Sequence, residues 1–188
     1  MRHLPNALTL LRFLLVPALV VLLAQRRYDA AFAVFVVSAM SDFADGVIAR
    51  HWNARTRFGA IADPLADKLT MLAVTLTLAV QGLLPLWLVA AILVRDVLIV
   101  GGALAYHHTV GPYDMAPTLL SKLNTTVEFL MLAVVLGSAA DIVGTSAATP
   151  ALFAALTATI VASGVQYVWV WGHRAIGHYA GRKPSTDR

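Results

Sequence analysis

Apolar runs long enough to cross a bilayer recur along almost the whole chain, and this recurrence constrains the fold more than any other feature. A spanning helix needs roughly 20 predominantly apolar residues to cover about 30 Å of hydrocarbon. Six such runs are present, near residues 5–25, 30–52, 59–81, 83–105, 119–141 and 149–173. The expectation is an all-α integral membrane protein, a six-transmembrane-helix bundle with a cytoplasm-facing polar cavity, forming a single domain over residues 1–188. Composition agrees, with 59% hydrophobic residues against 13% charged, far from the balance of a soluble domain. The first run carries Arg12 and no clear small-residue cleavage site, so it is expected to be retained rather than removed as a signal peptide. The chain has no cysteine, which excludes disulfides and thiolate metal sites and leaves oxygen or imidazole as ligands for any metal.

Orientation follows from the basic residues, because Lys and Arg in short loops stay on the cytoplasmic side. Six helices put both termini on one side, together with Arg2, Arg50, Arg55 and Arg57, the 106–118 loop, and Arg174, Arg182, Lys183 and Arg188. The opposite loops near 82 and 141–149 contain no Lys or Arg. Both termini are therefore expected in the cytoplasm, as in a bacterial inner-membrane protein. Arg26 and Arg27 fall on the other side, where long side chains at a helix end reach lipid phosphates. The net charge of +4 reflects this bias and attraction to anionic lipid, and it does not point to nucleic acid.

The chemistry is expected between Asp42 and Asp67, where DFADGVIARHWNARTRFGAIADPLAD puts four aspartates near the facing ends of two spans. A carboxylate at the centre of a membrane helix costs about 2.5–3.5 kcal/mol on insertion scales, so four of them need a polar cavity or bound cations. At about 100° per residue, Asp42 and Asp45 lie about 60° apart on one helix, and Asp63 and Asp67 about 40° apart on the next. With a short connection the two helices are antiparallel neighbours, and four converging carboxylates match two divalent cations. Hard oxygen ligands favour Mg²⁺ or Mn²⁺, with Ca²⁺ admitted on ligand type. His51 reads as an interfacial polar residue. Gly46 and Gly59, with Ala49, leave little bulk beside the carboxylates, which suits either tight helix packing or the approach of a phosphorylated ligand.

These residues resemble the signature of the CDP-alcohol phosphotransferase family, DxxDGxxAR followed by GxxxDxxxD. All eight fixed positions are filled, by Asp42, Asp45, Gly46, Ala49, Arg50, Gly59, Asp63 and Asp67. The resemblance implies that Asp42, Asp45, Asp63 and Asp67 are binuclear metal ligands and that Asp67 is also the general base. It further implies that Asp45, Gly46, Ala49, Arg50 and Gly59 form the CDP pocket. The amino-terminal PNALTLLR resembles the family's opening segment and adds Asn6 and Thr9 to that pocket. A homodimer is also implied.

Two further polar sites interrupt apolar runs: Arg95 with Asp96, and SKLNTT leading to Glu128. Adjacent side chains on a helix diverge by about 100°, so Arg95 and Asp96 are not expected to pair. Arg95 and Lys122 are expected instead to bind the phosphate of the acceptor alcohol, since unpaired charge in lipid is costly. SKLNT and RDVLIV resemble the cardiolipin-forming branch of the family, in which phosphatidylglycerol accepts the phosphatidyl group of CDP-diacylglycerol. The glycerol 3-phosphate branch resembles GKxKT, with a second lysine where Asn124 stands. A reading from another class, an ion or proton transporter, predicts polar groups spread through the membrane depth, whereas here they cluster at one end. Trp52, Trp87, Trp169 and Trp171 read as interfacial or packing aromatics, and His107, His108, His173 and His178 as surface polar residues.

Overall fold

The computed structural model describes the backbone of residues 4–52, 57–109, 118–144 and 147–181, and the side chains of 14–40, 66–106, 108, 118–144 and 147–173. Six α-helices are present among the described residues, with no strand: α1 Leu4–Ala24, α2 Tyr28–Trp52, α3 Arg57–Val80, α4 Leu86–Thr109, α5 Leu119–Ala139 and α6 Thr149–Gly181. Each expected span therefore has a helix. Three are long and apolar enough to cross a membrane by length and composition, namely Leu86–Tyr106, Leu119–Ala139 and Thr149–His173, while α1 and α2 carry the shorter described apolar stretches Leu14–Ala24 and Tyr28–Met40. The surface is correspondingly apolar: Val80 is 88% exposed, Leu119 83% and Leu86 74%. Outward faces of this kind suit hydrocarbon rather than water.

α6 continues to Gly181, past the expected end at 173. The apolar run marks the part that suits lipid, whereas helical hydrogen bonding continues into the polar residues that follow. α1 likewise continues through Pro17, a residue that membrane helices tolerate more readily than soluble ones.

Three helices end in the same way. After α1, Arg26 adopts φ 57°, its N–H bonds to Leu23 O at 2.9 Å and the N–H of Arg27 to Leu22 O at 2.9 Å. After α3, Gly82 adopts φ 76°, with Gly82 N–H bonded to Ala79 O at 3.0 Å and Leu83 N–H to Leu78 O at 2.9 Å. After α5, Asp141 adopts φ 56°, with its N–H on Ser138 O at 3.1 Å and that of Ile142 on Gly137 O at 3.0 Å. These paired 5→2 and 6→1 bonds form Schellman caps, which satisfy carbonyls that a helix end leaves unpaired. The first cap gives Arg26 and Arg27 a local reason for their place, because cations suit the negative end of a helix dipole.

The chain forms two compact units, Met1–Leu86 with Phe129–Ala151, and Trp87–Glu128 with Leu152–Arg188. In the first unit α1 packs against both α2 and α3. Its buried residues recur at helical spacing: Leu19 and Leu23 on α1, Ala31 and Phe35 on α2, Val74 and Leu78 on α3. Phe35 stacks on Phe129 with centroids 4.9 Å apart. At the end of α3, Gln81 accepts from the Tyr28 hydroxyl at 2.9 Å and donates to the Leu23 carbonyl, tying the α1–α2 turn to α3. In the second unit Arg95, Asn124, Glu128 and Ser163 are buried.

Candidate functional site

The aspartate motif lies on two consecutive helices of the first unit. α2 carries Asp42, Asp45, Gly46, Ala49 and Arg50, and α3 carries Gly59, Asp63 and Asp67. Both pack on α1, which carries Asn6 and Thr9. The pairs Asp42/Asp45 and Asp63/Asp67 therefore sit one turn apart on helices that share a neighbour, as their spacing requires. The side chains of Asn6, Thr9, Asp42, Asp45, Gly46, Ala49, Arg50, Gly59 and Asp63 lie outside the described residues, so their convergence stays an expectation. Asp67 is described and half-buried. It follows the fully buried Ala66, whose carbonyl accepts from the Thr70 hydroxyl at 2.9 Å. Among the described residues no three His, Asp or Glu side chains gather into a metal-sized cluster, and three of the four motif carboxylates are not in that set. The donor types themselves, all carboxylate oxygen, fit hard divalent cations.

The second unit contains a polar network around Arg95, and here one expectation is corrected. Arg95 does pair with Asp96: its Nη1 lies 2.8 Å from Asp96 Oδ1. The divergence of about 100° between adjacent positions applies where side chains leave the helix; the long arginine stem folds back and recovers the angle. The other two nitrogens reach different helices. Nη2 donates to Ser121 Oγ on α5 at 2.7 Å, and Nε donates to Ser163 Oγ on α6 at 3.3 Å. The guanidinium thus ties α4, α5 and α6 together.

Lys122 follows Ser121 in the first turn of α5. That turn is fixed by Thr118, whose hydroxyl accepts from Ser121 N–H at 3.2 Å and whose carbonyl accepts from Lys122 N–H at 3.1 Å, an N-cap arrangement. The Lys122 side chain is exposed. The first turn of α5 has no acidic residue, although acidic side chains usually occupy that position. Asn124 is fully buried, and its Oδ1 accepts from the Thr159 hydroxyl of α6 at 3.0 Å. Its Nδ2 has no partner among the described residues. Sequence reasoning passed over Thr159 and Ser163. The available signal was their spacing, two hydroxyls four residues apart on α6, which places them on one face.

Arg95 also lines an outward groove of about 530 Å³ between α4 and α6, with Val94, Leu98, Val161, Val165 and Trp169 among its other walls. The rim is open, with Val94 64%, Val165 63% and Trp169 68% exposed, while Arg95 is only 5% exposed. An almost wholly apolar trough of this kind complements acyl chains, with the ion-paired Arg95 buried at its wall. Two sequence readings of the aromatic and histidine residues also become concrete here. Trp171 packs over the Cα of Gly102, and the exposed His173 stacks on Trp169 at 5.2 Å.

Residues 2–171 match the family model described as CDP-alcohol phosphatidyltransferase. A cardiolipin synthase (CMP-forming)/mitochondrial hydrolase fusion protein of Schizosaccharomyces pombe is 34% identical over 179 residues, covering 87% of this chain and 30% of the relative. The cardiolipin synthase (CMP-forming) of Homo sapiens is 32% identical over 145 residues, covering 69% and 48%. A CDP-diacylglycerol–glycerol-3-phosphate 3-phosphatidyltransferase of Pseudomonas fluorescens is 35% identical over 144 residues, covering 72% and 73%. The match spans less than half the length of these two cardiolipin synthases. With nearly its whole length inside one family model and its eight signature positions filled on α2 and α3, the chain belongs to the CDP-alcohol phosphatidyltransferase family, whose members are membrane-embedded.

Proposed function

We propose that the protein transfers a phosphatidyl group from CDP-diacylglycerol to a hydroxyl of phosphatidylglycerol, forming cardiolipin and CMP. The observation that carries this reading is the complete aspartate signature on α2 and α3 in a chain related to cardiolipin synthases of two eukaryotes. Asp42, Asp45, Asp63 and Asp67 are the residues that would hold two divalent cations, Mg²⁺ or Mn²⁺, in keeping with the metal dependence general to the family. Bound there, such cations supply neutralisation of the diphosphate and of the leaving phosphate. Asn6, Thr9, Gly46, Ala49, Arg50 and Gly59 cradle the cytidine diphosphate, where the small residues leave the helix backbones approachable.

Asp67 accepts the proton of the attacking hydroxyl as its oxygen bonds to the phosphatidyl phosphorus and the bond from that phosphorus to CMP breaks. Arg95 and Lys122 take the acceptor phosphate. Three features support that assignment: the directed donors of Arg95, the exposed cation of Lys122 at the positive end of α5, and the apolar groove beside Arg95, which suits an acceptor that carries acyl tails. In this reading the site and both termini face the cytoplasm, the membrane is a bacterial inner membrane, and the enzyme works as a homodimer.

The test uses purified protein in detergent, CDP-diacylglycerol and Mg²⁺ or Mn²⁺, with phosphatidylglycerol and glycerol 3-phosphate supplied separately. Cardiolipin is the expected product. The second reading, a phosphatidylglycerophosphate synthase, is favoured by the Pseudomonas relative, most of whose length is covered. Product from glycerol 3-phosphate alone would establish it instead. Asp67→Asn should lower CMP release about 10²- to 10⁴-fold, the usual contribution of a positioned base. Chelation should abolish release and added Mg²⁺ or Mn²⁺ restore it. Metal-independent release that survives Asp67→Asn would remove the proposed site.

A further inference from the structure

Two hydroxyls on two different helices converge on the guanidinium of Arg95. Ser163 is fully buried. Its Oγ accepts from Arg95 Nε at 3.3 Å while its own proton is directed to the Ile160 carbonyl at 3.2 Å. Ser121 Oγ accepts from Nη2 at 2.7 Å, and Asp96 accepts from Nη1 at 2.8 Å. Each nitrogen of the planar fork is thus held from a different direction, so the plane cannot turn about its stem without breaking a buried bond. Among the described residues three of the five N–H groups are used. Two remain, with their direction fixed by the other three.

Asp96 balances the charge of Arg95, so whatever the guanidinium still offers lies in oriented donors more than in net charge. Orientation is what a phosphate requires, since planar N–H groups meet its oxygens in a fixed fork. Ser121 also stands in the first turn of α5, directly before Lys122, and the Thr118 cap sets the register of both. One hydroxyl therefore links the direction of Arg95 to the start of the helix that presents Lys122.

We propose that Ser121 and Ser163 are positioning residues for the acceptor: they act through Arg95, setting the angle at which it meets the acceptor phosphate. The inference rests on the reading of Arg95 as part of the acceptor site. It holds for either anionic acceptor, because a phosphodiester and a phosphomonoester present the same kind of oxygen.

The test is a kinetic double-mutant cycle on the purified full-length protein, with KM measured separately for CDP-diacylglycerol and for the acceptor. Ser121→Ala should raise the acceptor KM about fivefold, the size of one ordinary net hydrogen bond acting through Arg95, and leave the CDP-diacylglycerol KM within about twofold. Ser121→Thr keeps the hydroxyl at a half-buried position and should restore the acceptor KM. Ser163→Ala should act in the same direction as Ser121→Ala. In an Arg95→Lys background, Ser121→Ala should add nothing, since the fork through which it acts is gone. The proposal is overturned if Ser121→Ala moves both KM values together, moves neither, or keeps its full effect beside Arg95→Lys. Should Arg95→Lys fail to fold, the Ala and Thr variants of Ser121 decide alone. If the wild type uses only glycerol 3-phosphate, the choice of phosphatidylglycerol fails, while the cycle is read on the glycerol 3-phosphate KM and still tests the serines.

Discussion

Substituting alanine at Gly101 and at Gly102, neighbours on α4, should change stability in opposite directions. A Cβ built at Gly102 falls 1.8 Å from Trp171 Cζ3, 2.5 Å from Cε3 and 2.6 Å from Cη2, whereas one at Gly101 meets nothing within 4 Å. To reach an ordinary contact of about 3.4 Å, the indole edge must withdraw by about 1.6 Å. That movement disturbs its tilted contact with Tyr167, whose ring centroid lies 5.2 Å away. Both substitutions gain about 0.8–1.0 kcal/mol of helix propensity. At Gly102 this gain is opposed by overpacking of about 1–3 kcal/mol and by a weakened aromatic pair of about 0.5–1.5 kcal/mol. The net expectation is a loss of about 1–2 kcal/mol for Gly102→Ala and a gain of somewhat under 1 kcal/mol for Gly101→Ala. Reversible unfolding in mixed micelles, followed by the loss of helical circular dichroism, measures both. Trp171→Leu should rescue Gly102→Ala, because the clash disappears with the ring. Equal stabilities for the two alanine variants, or a failure of Trp171→Leu to couple to Gly102→Ala, would refute the packing argument.

Two further outcomes can be read in the same unfolding assay. Gln81→Leu removes both bonds that tie the α1–α2 turn to α3, and should cost about 1–2 kcal/mol on the ordinary value of such bonds; Gln81→Glu, which keeps the acceptor for Tyr28 but not the donor to Leu23, should fall between. Gly82→Ala has open space around the new methyl but must hold φ 76°, so it should cost about 1–2 kcal/mol from backbone conformation alone, with no rescue from trimming its neighbours.

The six helices were legible because hydrocarbon imposes length, and length is visible in a string. Their ends were less so. Nothing in the apolar pattern signals that α6 runs on to Gly181, because the helix outlasts the stretch that suits lipid. The caps at Arg26 and Asp141 were hidden as well, since neither residue announces a left-handed conformation as Gly82 does. Asp42, Asp45, Asp63 and Asp67 stood out because charge in a span is rare and their spacing puts each pair on one helix face. At Arg95 the reasoning from helical angle failed, since it treated a long flexible side chain as if it ended near Cβ. Ser163 and Thr159 escaped notice for a different reason: a hydroxyl in an apolar helix commonly bonds to its own backbone, as Thr157 does to Phe153 O at 2.7 Å. Only the partner across the helix gap distinguishes them.

The packing of α2 on α1 also governs residues beyond the contact. Ala31 and Phe35 are buried, which fixes the rotation of α2, and Asp42 follows Phe35 by about 10.5 Å along the axis at 1.5 Å per residue. A single residue inserted between Phe35 and Asp42 would turn the rest of α2 by about 100° and carry Asp42 and Asp45 around the cylinder together, whereas one inserted in the turn before Tyr28 can be absorbed there. The azimuth of the motif is thus clocked from the packed half of its own helix.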